Sequence, residues 1–137
     1  MTPQEQNQRS FDMAAVALVK QGRPSGVTEE DEGYRCLYRG PRGARCAAGW
    51  LFEGEVGKDF DEDQRCTRSR VAALLTAGGH APAFVMYLQE AHDSPAMNGA
   101  PQDWLATWAV NMRIVAREHN LSTAALDSAL AAREAAQ

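Results

Sequence analysis

Arg35, Arg39, Arg42 and Arg45 stand in one short stretch that also holds Cys36, Tyr38, Cys46 and Trp50. Guanidinium groups at this density suit phosphate or carboxylate partners, which a planar fork grips with two parallel hydrogen bonds. Tyr38 and Trp50 would add apolar contact beside the charges. The expected binding residues are therefore Arg35, Tyr38, Arg39, Arg42, Arg45 and Trp50. The alternative is a solvated arginine face neutralised by the chain's own acids, of which Glu29-Glu30-Asp31-Glu32 lies nearest in sequence. On that reading Arg39→Ala lowers stability and removes no binding.

His92-Asp93 is the second candidate. A histidine oriented by a carboxylate is the pattern of a general acid or base, whereas a histidine near a helix C-terminus is also favoured by the helix dipole alone. Neighbours on a helix point about 100° apart, so the pair is not expected to touch while helical. Cys36, Cys46, Cys66, His80, His92 and His119 are zinc-type ligands by residue type. They include no Cys-x-x-Cys pair, and nine residues separate Cys36 from Cys46. Neither a metal nor a cofactor is expected. Asp59, Asp61 and Asp63 open like a calcium loop, but Gln64 and Arg70 occupy the glycine and glutamate positions such a loop needs. The chain contains no phosphate loop, nucleophile elbow or dinucleotide fingerprint, which weighs against an enzyme.

The elements that must position these residues can be read locally. Gly40-Pro41-Arg42-Gly43 suits a tight turn, with Pro41 presetting φ and Gly43 accepting a left-handed conformation. That predicts a β-hairpin over residues 34–52. One face would carry Cys36, Tyr38, Cys46, Ala48 and Trp50, and the other Arg35, Leu37, Arg39, Arg45 and Ala47, with Arg39 directly opposite Arg45. Thr2-Pro3-Gln4-Glu5 is a capping box opening a helix to Gln21, stopped by Gly22 and Pro24. Residues 22–33 read as a loop. Thr67 or Ser69 caps a short helix ending at Gly78-Gly79, and Pro82 opens another ending at Asp93-Ser94-Pro95. Pro101 starts the longest helix, to about His119, with Trp104 or Leu105, Trp108, Met112, Val115 and Ala116 buried. Asn120 closes it. A last helix starts at Ser122 and frays beyond Leu130. The expected fold class is α+β, mainly helical: about five α-helices packed around one β-hairpin.

The chain has 137 residues, 45% apolar and 23% charged, with a net charge of -4. That is the size of one domain, 1–137, with a real core. An acidic balance disfavours a nucleic-acid partner. Three cysteines, an odd count, and a polar N-terminus suggest a cytoplasmic protein with reduced thiols and no membrane span.

Cys36-Leu37-Tyr38-Arg39-Gly40-Pro41, followed by Gly43-x-x-Cys46-Ala47-x-Gly49-x-Leu51, resembles a family of small hypothetical proteins of tailed-phage and bacterial genomes. Leu88-Gln89-x-x-His92-Asp93 with Trp104 beyond it fits the same family, as does a leading amphipathic helix. The likeness runs from about residue 10 to 121. Ala48 and Trp50 depart from the family's usual valine and small or apolar residue, and the loop after Phe52 departs from its Ile-Pro-Asp. The resemblance implies phage or prophage origin. It implies intracellular action as well; joined to the arginine-rich stretch, that origin suggests a small intracellular binding protein that docks on a host or phage macromolecule through the arginines, with inhibition of a host defence or regulatory factor as a role. The alternative is a small enzyme or ligand-binding protein for a phosphorylated metabolite or nucleotide. There the arginines would hold phosphate and His92 with Asp93 would transfer protons.

Overall fold

The computed structural model describes residues 1–29, 33–53, 66, 67, 69–98 and 103–137. Among them are six α-helices and one two-stranded antiparallel sheet, a mainly helical α+β fold. In chain order these are α1 (Pro3–Gln21), β1 (Gly26–Glu29), β2 (Gly33–Cys36), α2 (Ala47–Leu51), α3 (Ser69–Ala77), α4 (Pro82–Asn98), α5 (Trp104–Glu118) and α6 (Ala124–Ala135). No single helix among the described residues is long and apolar enough to cross a membrane. The calcium-loop residues 59–63, Pro101 and most of the acidic run 29–32 fall outside the described residues.

α1 forms where its end signals place it. The Thr2 side chain accepts from Glu5 N–H, the Glu5 carboxylate accepts from Thr2 N–H, and Gly22 closes the helix at φ 72°. Its apolar stripe of Phe11, Ala14, Ala15, Leu18 and Val19 is buried, and the helix packs chiefly on α6 and α2. α4 packs on α5, α2 and β2. Trp104 and Trp108, one turn apart on α5, stack at 5.3 Å between ring centroids in the core.

The hairpin lies elsewhere than over 34–52. β1 and β2 pair from Gly26↔Cys36 to Glu29↔Gly33, so residues 22–33, expected as a loop, supply one of the two strands. Gly40-Pro41-Arg42-Gly43 does make a tight turn: Gly40 N–H bonds Ala44 C=O at 2.8 Å, and Gly43 is left-handed at φ 76°. The ladder stops there. Arg45 takes the side-chain amide of Gln21 as its partner, with Arg45 N–H to Gln21 Oε1 at 2.9 Å and Gln21 Nε2 to Arg45 C=O at 3.0 Å. A helix-terminal glutamine thus occupies the place expected for Arg39, and the alanines that follow wind into α2.

Two helix ends also differ from expectation. α4 runs through Pro95 to Asn98. Proline lacks the N–H that would reach Ala91 C=O, and that carbonyl accepts instead from Asn111 Nδ2 on α5 at 3.4 Å. α6 continues to Ala135, tied to the end of α1 by Arg133 donating to Val19 C=O at 3.1 Å.

Candidate functional site

The residues singled out by sequence gather in two adjoining layers, a buried polar network on α4 and an arginine-bearing turn beside it. The network centres on His92, which is fully buried. Ser25 N–H donates to its Nε2 at 3.0 Å, so that nitrogen must carry a lone pair. The proton therefore sits on Nδ1, which donates to Asp93 Oδ1 at 2.7 Å. The two side chains do touch within one helix, contrary to the expectation from helical spacing. Gln89 Nε2 donates to the same carboxylate at 2.9 Å, while Gln89 Oε1 accepts from Ala48 N–H in the first turn of α2. His92 C=O accepts from Trp104 Nε1 at 2.8 Å. One turn of α4 is thereby bonded to α2, to the entry of β1 and to α5.

Cys36 completes the cluster from β2. Its thiol is hydrogen-bonded to Asp93 and is pushed well above the ordinary thiol range, first by burial and then by the Asp93 charge and that bond. Tyr34, two residues away on the same strand face, is pushed up to about 12 by burial and by Cys36 and Asp93, with Arg23 opposing. Cys36 is therefore a protonated donor rather than a nucleophile. One potential ligand atom each of Cys36, His92 and Asp93 lies within 4.8 Å of the others. A cation bound at Nδ1 would move the ring proton to Nε2, against the Ser25 N–H. The donor set accordingly fits a closed hydrogen-bond network better than a metal. The same occupancy bears on proton transfer: the lone pair a general base would use is taken by a backbone amide.

The arginines divide by what they touch. Arg39 is half-buried and donates to Gly49 C=O and, at 3.2 Å, to Phe52 C=O, with its guanidinium 4.4 Å from the Phe52 ring centroid. Those carbonyls form the end of α2, where a cation is favoured. Gly49 fits because any Cβ there would collide with Tyr38 C=O. Tyr38 is itself buried and packs at 6.0 Å on Phe52. Arg35 lies on β2 opposite Val27.

Arg45 covers the Trp50 ring at 4.9 Å, and Trp50 Nε1 donates to Gln21 Oε1 at 2.9 Å. Arg42 is exposed at the tip of the turn, at φ 57° and ψ 36°. Arg23 holds that turn from behind, donating to Pro41 C=O at 3.3 Å and Arg42 C=O at 2.9 Å. Arg23 and Arg42 thus meet at the turn, and Arg45 follows three residues on, over Trp50. Arg39 and Tyr38 are built into the support beneath the turn.

Gln21, Arg23 and Ser25 organise this region and were not foreseen. No local pattern marks a glutamine at a helix end as the partner of a strand-like residue. Comparison of the chain with family models, curated proteins and solved structures gives no match.

Proposed function

We propose that the protein docks on another macromolecule through the cationic turn around Arg42 and Arg45, as a small binding protein of phage or prophage type acting in the bacterial cytoplasm. Its partner is a host or phage protein with an acidic surface, and inhibition of a host defence or regulatory factor is the role that suits such an origin. A net charge of -4 argues against nucleic acid as the partner.

The observation that carries the reading is the conformation of Arg42. A left-handed φ costs a non-glycine residue about 1 kcal/mol or more, and strain of this kind is a pointer to function when the surrounding structure maintains it. Here Arg23 maintains it, and the strained residue carries an exposed guanidinium with no carboxylate partner among the described residues. Arg45, three residues on, is pre-oriented on Trp50, so little side-chain freedom is lost on binding. The reading through phosphorylated substrates has weaker support, since the His92 lone pair is taken by the Ser25 amide. The test is affinity capture from host lysate with wild type and with Arg42→Gly/Arg45→Ala, both verified as folded. A protein retained by wild type alone supports docking and names the partner. Equal retention, or none by either, refutes it.

A further inference from the structure

The groove between α4 and α5 is a second surface with chemistry of the opposite sign. It encloses about 230 Å³. Its floor is apolar, made by Ala91 and Val115. Tyr87 forms one wall, 40% exposed, with its ring held edge-on by His119 at 4.7 Å between centroids. Ile114 faces it from α5. Glu90 on α4 and Glu118 on α5 also line the groove, both exposed, and neither forms an ion pair or side-chain hydrogen bond among the described residues. No lysine or arginine lines it. Arg113 of α5 is turned to α6, 2.7 Å from Asp127.

We propose that this groove receives an arginine side chain of a partner peptide. The guanidinium stacks on Tyr87 and pairs with Glu90 and Glu118, while its methylenes lie on Ala91 and Val115. Each part of the groove asks for one part of that side chain. An exposed tyrosine face attracts a cation, and carboxylates on two facing helices suit a planar fork better than a point charge. The apolar floor needs an aliphatic stem. The proposal is independent of the arginine turn, which would select partners of opposite charge.

A displayed library of random peptides, panned on wild type and on Glu90→Gln/Glu118→Gln, tests it. Wild type is expected to enrich peptides sharing an arginine, and the double variant to lose them. A selected peptide remade with citrulline, the neutral isostere of arginine, should bind about tenfold or more weakly. No enrichment, enrichment of neutral or lysine peptides in equal measure, or selection unchanged by the double variant would overturn it.

Discussion

At the scale of single residues, the side chains that look chemically active are largely occupied by the protein's own backbone. His92 meets Ser25 N–H on one nitrogen and Asp93 on the other, and Arg39 meets the carbonyls that end α2. Residue type and spacing flagged both but could not tell these roles from catalysis or docking. The deciding partners, Ser25 and Gly49, are backbone groups remote in sequence from His92 or hidden behind a strand-like pattern. His92→Ala would leave the Ser25 amide and one bond of Asp93 unmet beside a new cavity. The expected cost is about 3 kcal/mol in urea unfolding; a change below about 0.5 kcal/mol would show that the network contributes little. The nitrogen chemical shifts of the ring should show Nδ1 protonated and Nε2 bare.

At the scale of elements, what was legible is what is locally encoded. The Thr2/Glu5 box, Pro3 and Gly22 lie within α1 or at its ends, and the helix runs where they say. The core stripe of α5 follows from its own periodicity. The hairpin was misplaced because pairing beyond the Gly40–Ala44 turn is decided by a competitor from another element. Gln21 satisfies both backbone groups of Arg45 and leaves the next residues to coil. Pro95 reads as a stop, yet α4 passes through it because Asn111 reaches the stranded carbonyl from α5. Gln21→Ala therefore removes bonds to Arg23, Arg45 and Trp50 together. The variant should lose about 2–3 kcal/mol, and hydrogen exchange at the Arg45 amide should accelerate far more than at core amides of α5. Uniform acceleration would mean that Gln21 acts on the whole fold rather than on this junction.

At the scale of the whole molecule, buried titratable groups set a window of stability. Cys66 rises from 9.0 to about 11 and Tyr34 from 10.0 to about 12, burial being the main cause, and Cys36 is raised as well. Each stays neutral in the fold after the unfolded chain would have lost its proton. Their contribution is intact below about pH 9 and is lost progressively as pH rises from there towards 12. His80 is held below 6.5 by burial and by Arg9, so its contribution is intact above that value and is lost as pH falls below it. Thermal midpoints should therefore plateau between about pH 6.5 and 9 and fall on both sides; a midpoint still rising at pH 10 would contradict the buried-thiol assignment.

The proposed function requires a division of the arginines of residues 39–45 between support and docking. It is tested most directly by comparing Arg39→Ala and Arg42→Gly for thermal midpoint and for retention of the captured partner. Arg39→Ala should lower the midpoint by about 5–10 °C and, below its own transition, still hold the partner. Arg42→Gly, which suits the left-handed turn, should keep or slightly raise the midpoint and release the partner. Partner loss with Arg39→Ala in the folded state, together with retention by Arg42→Gly, would overturn that division.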